Sequence, residues 1–209
     1  MILSGTAAAI SGRDFIVVGS TRGATMYDMF MLSRRGIKRI FRLYDRILIA
    51  YTGLQGDFQY IQNILENYLK RRIYESGREP TVKQVSRILS SILYSYRFYF
   101  PNYISAIVAG FDPGSDRPKL FDIGPVGSVI EDKYAASGEG FEIALGVLEA
   151  EYREDLSLEE AKRILTLALK ASASRNLLNE PSQEPVIEYI HRKPAHKIRE
   201  FFVISLHVK

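Results

Sequence analysis

The spacing of apolar residues along this chain switches between two periods, and each switch predicts a change of element. The opening segment is strand-like. Thr6–Ile10 is small and tolerates extended backbone, and Phe15–Val18 is a short apolar run after the turn-forming Ser11-Gly12-Arg13-Asp14. Ile40–Leu43 and Arg46–Tyr51 flank Tyr44-Asp45, which predicts a tight turn. Beyond Gly53-Leu-Gln-Gly56 the period lengthens. Ile61, Ile64, Leu65, Tyr68, Leu69 and Ile73 recur at three and four, and Gly77 is placed to stop that helix. Thr81 and Gln84 form a capping box after Pro80, opening a second stripe of Val85, Ile88, Leu89, Ile92, Leu93 and Tyr96. Strand character returns at Tyr103–Ala109, Lys119–Ile123 and Tyr134–Ala136. A third helix fits Phe141–Tyr152. Ser157 and Glu160 cap a fourth, running through Leu158, Ala161, Ile164, Leu165, Ala168 and Leu169, and strands near Val186–Ile190 and Phe201–Val208 close the chain.

Strands, two helices, strands, two helices, strands is not the alternation that builds a parallel doubly wound sheet. Helix pairs inserted between groups of strands predict two stacked antiparallel sheets with helices on both outer faces. The expected class is α+β, a four-layer αββα sandwich. No low-complexity linker and no internal repeat divides it, so one domain is expected.

Composition removes several kinds of chemistry. The 209 residues are 46% hydrophobic and 25% charged, ordinary globular values. There is no Cys, which excludes disulfides, a thiol nucleophile and cysteine metal sites. The three histidines, His191, His196 and His207, all fall near the chain end, leaving little for a histidine triad or metal centre. No cofactor and no metal is therefore expected. The longest apolar patch, around Ile104–Ala109, is strand-sized, and Met1–Gly5 is too short for a secretory signal; a cytoplasmic protein without a membrane contact is expected. The net charge of +4 is spread over Arg34, Arg35, Lys38, Arg39 and Arg42, Lys70–Arg72, and the basic residues from Arg192 to Arg199. Dispersed in this way it reads as solvated or subunit-facing surface rather than a nucleic-acid site.

Several strings, in this order and spacing, resemble the proteasome β-subunit family of N-terminal-nucleophile hydrolases, and look most like its archaeal members. They are Gly5-Thr6, Thr25-Met26, Tyr51-Thr-Gly53-Leu-Gln-Gly56-Asp57-Phe-Gln59, Ile123-Gly-Pro125-Val-Gly127, Ile130-Glu131-Asp132-Lys-Tyr134-Ala-Ala-Ser-Gly138-Glu-Gly140 and Gly146-Val-Leu-Glu149. The match runs from about Gly5 to Tyr189. The fold it implies is the sandwich reached from the element order. The chemistry it implies is self-cleavage after a glycine, freeing a threonine whose hydroxyl attacks a peptide carbonyl while its own α-amine takes the proton. Such an amine titrates near neutrality (~8), so no histidine is required.

Carried over position by position, the resemblance implies Gly5-Thr6 as processing site and Thr6 as nucleophile, dividing a leader at residues 1–5 from a domain at 6–209. Gly53 falls where the family has a backbone oxyanion donor, and Tyr51 where it floors the specificity pocket. The supporting positions are changed. The acid of the second strand is Thr21, with Gly23 in place of the following arginine. The lysine position falls on Arg39, with Lys38 adjacent and, by strand alternation, on the opposite face. Arginine keeps its proton and presents a wider planar fork than lysine. The loop serine is Glu139, whose carboxylate would stabilise an ammonium rather than a free amine. A later aspartate and serine fall on Asn176 and Asn179. The scaffold is kept while the chemistry is dismantled, and Arg39 and Glu139 are expected to pair as a salt bridge across the site.

The resulting expectation is a β-type subunit of a 20S proteasome core, structural or weakly active. It would sit in heptameric β rings beside proteasome α subunits and other β subunits, with peptides as substrate of the whole particle. Two alternatives remain: an active threonine endopeptidase using Thr6 after leader removal, and a free-standing homologue that binds a peptide or another partner.

Overall fold

The small residues at the start of the chain form strands of an inner sheet layer. The computed structural model describes residues 2–3, 5–23, 25–26, 29–30, 37–96, 104–175 and 184–191. Strand β1 (Ile2–Leu3) is followed by β2 (Thr6–Ser11), which turns at Gly12 into β3 (Phe15–Ser20), with Ala7 opposite Ser20 and Ser11 opposite Ile16. Both β2 and β3 are buried along their whole length, hence the Ala and Val content on either face. Short strands β4 (Thr25–Met26) and β5 (Met29–Phe30) follow, and β1 pairs with β4.

β6 (Ile40–Leu43) and β7 (Ile47–Gly53) form a hairpin whose corner residues, Tyr44 and Asp45, both have positive φ (51° and 54°), the geometry that matches strand twist. Helix α1 (Gln55–Ser76) ends at Gly77 in the left-handed region, φ 66°, with its N–H on the Ile73 carbonyl. Helix α2 (Val82–Tyr96) opens with the expected box: Thr81 N donates to Gln84 Oε1 at 3.0 Å and Gln84 N to Thr81 Oγ1 at 3.1 Å. Then come β8 (Ile104–Phe111), β9 (Pro118–Ile123), β10 (Val129–Glu131) and β11 (Tyr134–Gly138), followed by α3 (Phe141–Glu151), α4 (Leu158–Arg175) and β12 (Val186–His191). Ser157 and Glu160 cap α4 as the sequence predicts.

The sheets are ordered β10-β9-β8-β7-β6 and β11-β2-β3-β12, with every neighbouring pair antiparallel. Strand alternation sorts the core into three layers. Ile47, Ile49 and Tyr51 face α1 and α2; Leu48 and Ala50 face Ala7, Ala9, Ile16 and Val18 across the inter-sheet space; Ala8, Ile10, Phe15 and Val17 pack on Leu148, Ile164, Leu165 and Leu169 of the second helix pair. The αββα order is as expected.

Differences lie at the short elements. β10 and the β1–β4–β5 ribbon were not expected, since two or three residues carry no period. The α1 stripe is narrower than its sequence suggests: Tyr68 is half exposed. Tyr103, Asn176, Asn179 and the strand expected at Phe201–Val208 lie outside the described residues. Among the described residues, no helix is long and apolar enough to cross a membrane.

Candidate active site

Thr6 begins β2 and is fully buried, on the strand face that Ala8 and Ile10 turn to α3 and α4. Its main chain is tied to the neighbouring strand end. Thr6 N–H donates to Thr21 Oγ1 at 2.9 Å, and Thr21 N–H donates to the Thr6 carbonyl at 2.9 Å. Its hydroxyl lies 2.7 Å from Ser172 Oγ and accepts the Gly140 N–H at 3.2 Å. The preceding carbonyl, Gly5 O, accepts the Glu139 N–H at 3.3 Å. Gly138, opposite Thr6 in the sheet, has φ 98°, and a Cβ there would collide with Gly5 O. Two main chains thus meet with no side chain between them.

Arg39 supplies the buried charge. It is 2% exposed, and a Cβ on Gly5 would lie 2.5 Å from its Nε. Its Nη1 donates to Thr21 O at 2.8 Å and its Nη2 to Gly23 O. Burial pulls its pKa down to about 10, against the opposing influence of Tyr51 and Glu139, so it stays a cation at neutral pH. Lys38 faces outward, 72% exposed, with Glu188 Oε1 at 3.7 Å. Arg39, not Lys38, is therefore the cation turned inward at this corner, against Gly5.

The expected Arg39–Glu139 bridge is not among the ion pairs of the described residues. The guanidinium turns to the carbonyls at the end of β3 instead. Two of its donors are taken up there without drawing a second charged group out of water, and Glu139 acts on the guanidinium through its charge.

Tyr51 fills space and does not open it. Its ring stacks on Phe58 with centroids 3.3 Å apart, and its hydroxyl donates to Lys38 O at 3.2 Å. Burial raises its pKa, with Arg39 pulling the other way. On the opposite face of β7 a cleft of about 560 Å³ is lined by Gly5, Gly53, Thr52, Ser105, Asp122 and Glu139, among others. Burial pushes the Asp122 carboxyl up to about 6, opposed by the Ile123 N–H, and Asp122 Oδ1 is closed off with no hydrogen-bond partner.

The structure thus gathers Gly5, Thr6, Thr21, Arg39 and the Glu139-Gly140 backbone at one point, and places Gly53 beside them on the cleft wall. Sequence reasoning missed Ser172 and Asp122. Ser172 continues the buried stripe of α4 three residues after Leu169, and Asp122 sits between core residues Phe121 and Ile123. A polar residue interrupting an apolar pattern was the available signal in both cases. No group of three or more metal-ligating side chains occurs among the described residues.

Two antiparallel sheets between helix pairs, with a threonine at the head of an inner strand, define an N-terminal-nucleophile hydrolase fold. The family profile described as Proteasome subunit matches residues 2–186. Among curated relatives, the chain is 34% identical over 190 residues to "Proteasome subunit beta 1" of Ignicoccus hospitalis, covering 91% of this chain and 93% of that protein. It is 36% identical over 171 residues to "Proteasome subunit beta 2" of Pyrobaculum neutrophilum, covering 82% of each. It is also 34% identical over 184 residues to "Proteasome subunit beta 2" of Aeropyrum pernix, covering 87% of this chain and 80% of that one. The chain belongs to the proteasome subunit family, and the relatives it matches so closely in length are β subunits.

Proposed function

We propose that this β-type subunit takes a place in a 20S core particle for intracellular protein degradation while contributing little or no peptide hydrolysis itself. Its partners would be α subunits and more active β subunits in heptameric rings. One observation carries the proposal. Where a lysine would tune the threonine α-amine, the chain holds a buried arginine whose donors are directed at two main-chain carbonyls. A group so held braces the strand ends, and it cannot lose its proton to help a base. Glu139 adds negative charge nearby, which favours the protonated amine. In this reading Thr6 keeps residues 1–5 attached, and Gly53, Tyr51 and Thr21 serve the shape of the cleft.

A second reading is favoured by the backbone. The Glu139 N–H on Gly5 O is a donor that attack by the Thr6 hydroxyl on the Gly5–Thr6 bond would need. One experiment separates the two. Particles would be assembled with the α subunit and an inactive partner β subunit, and the intact mass of this chain measured along with hydrolysis of a fluorogenic peptide. Retained residues 1–5 and background hydrolysis are expected. A chain beginning at Thr6, with turnover abolished by Thr6→Ala, would establish the active enzyme instead.

A further inference from the structure

Two neighbouring residues at the head of β2 turn to different layers of the sandwich. The Thr6 hydroxyl is on the helix side, 2.7 Å from Ser172 Oγ of α4 and accepting the Gly140 N–H ahead of α3. Thr6 and Ser172 are both fully buried. A Cβ on Gly140 would lie 2.0 Å from Ser172 Oγ and 2.9 Å from Thr6 Oγ1, so the main chain closes directly over the two hydroxyls. The cleft of about 560 Å³ has Gly5, Gly138 and Glu139 in its wall, but not Thr6, Gly140 or Ser172.

Position 5 points the other way. A Cβ built on Gly5 would lie 2.5 Å from Arg39 Nε, 2.6 Å from its Cζ and 3.0 Å from its Nη2, inside any tolerable contact. Arg39 stands immediately before β6, in the opposite sheet. A side chain at position 5 would therefore stand between the sheets beside the cleft, and the guanidinium already fills that space. It is not free to swing aside, because Nη1 and Nη2 are held by Thr21 O and Gly23 O in charge-assisted hydrogen bonds. For Thr6 to reach the cleft, its hydroxyl would have to leave Ser172 and the Gly140 N–H unpaired in the interior. We propose that Gly5 and Arg39 form a built-in plug: the guanidinium occupies the place from which a side chain would enter the cleft, while Ser172 holds the Thr6 hydroxyl on the far side of the sheet. The proposal rests on the reading of this subunit as a poor hydrolase and names the contacts that keep it so, with Arg39 and Ser172 as positioning residues.

The chain has no cysteine, so a single introduced thiol reports its own surroundings. Full-length Thr6→Cys and Ser105→Cys proteins, the second on the cleft wall, would be treated with methyl methanethiosulfonate and followed by intact mass. The Thr6→Cys thiol should react about 100-fold or more slowly than the Ser105→Cys thiol, since modification at position 6 has to wait for local opening. In an Arg39→Ala background, a Gly5→Cys thiol should react within about tenfold of the Ser105→Cys thiol. Gly5→Cys should also lower the urea midpoint at least twice as far with Arg39 present as in the Arg39→Ala background. The cost of a side chain at φ 99° is common to both and cancels, leaving the clash. A Thr6→Cys thiol that reacts less than about 100-fold more slowly than the cleft thiol would overturn the proposal. So would equal midpoint shifts with and without Arg39, or a Gly5→Cys thiol that stays protected once Arg39 is removed. The Thr6→Cys and Ser105→Cys comparison uses changes of nearly constant size, so it decides the matter even if Arg39→Ala does not fold. None of these readouts needs an assembled particle: failure of the plug leaves the ring-subunit reading standing, and that reading is decided by mass and peptide hydrolysis.

Discussion

Asp122→Asn should gain stability relative to the parent protein as the pH rises from acid to neutral. The carboxyl titrates near 6 in the fold, against an ordinary value of 3.8, and desolvation is the main cause. A raised acid pKa means that the folded state holds its proton more tightly than the unfolded chain does. Below about 3.8 both states are protonated and no penalty exists; between there and about 6 the penalty grows; above about 6 it is fully present. At about 1.4 kcal/mol per pH unit, the difference corresponds to ~3 kcal/mol at neutral pH, and partial access of solvent to the cleft reduces this to roughly 1–2 kcal/mol. The asparagine amide inherits an orphaned acceptor position, which offsets part of the gain equally at all pH values. Urea denaturation of both proteins at several pH values between about 4 and 7.5 reads the difference directly. The advantage of the variant should rise with pH from about 4 to about 6 and level off above. A difference that is flat across the series, or one that shrinks as pH rises, would refute the assignment of Asp122 as a desolvated carboxylate.

Arg39→Lys removes the planar fork from two carbonyls at once, and an ammonium reaches at most one of them. A loss of about 2–3 kcal/mol in urea denaturation is expected, and a loss under ~0.5 kcal/mol would show that Arg39 is not the brace at this corner. The glycines offer a paired test: Gly138→Ala, at φ 98° and against Gly5 O, should cost about 3 kcal/mol or prevent folding, whereas Gly146→Ala, in the middle of α3 with open space around it, should stabilise by ~0.5–1 kcal/mol, both read from the thermal midpoint.

How far the sequence carries the structure depends on how local each signal is. The Thr81–Gln84 and Ser157–Glu160 boxes lie within four residues, and both form as written. Strand alternation was enough to separate Arg39 from Lys38, though it could not say which one turned inward. The Arg39–Glu139 pairing failed for a different reason. Charge complementarity is visible in a sequence, but the carbonyls of Thr21 and Gly23 that accept from Arg39 are backbone groups at a strand end, and no residue letter records them. Ser172 meets Thr6 across 166 positions of chain, so only the packing of α4 on β2 brings the two hydroxyls together. The two-residue strands near Ile2 and Met26 fall below any detectable period.

The burial of β2 on both faces reaches further than packing. Thr6 ends a strand with no solvent side, its hydroxyl fitted against Ser172 and a main-chain N–H. Such a niche screens substitutions by size and by hydrogen-bonding capacity, whatever reaction once took place there. A lineage that gave up hydrolysis at this position would still be constrained to keep a small hydroxyl residue. Persistence of threonine among descendants would then be a record of the shape of the niche, and drift would be expected first where the mould is loosest, along the exposed carboxylate-lined wall.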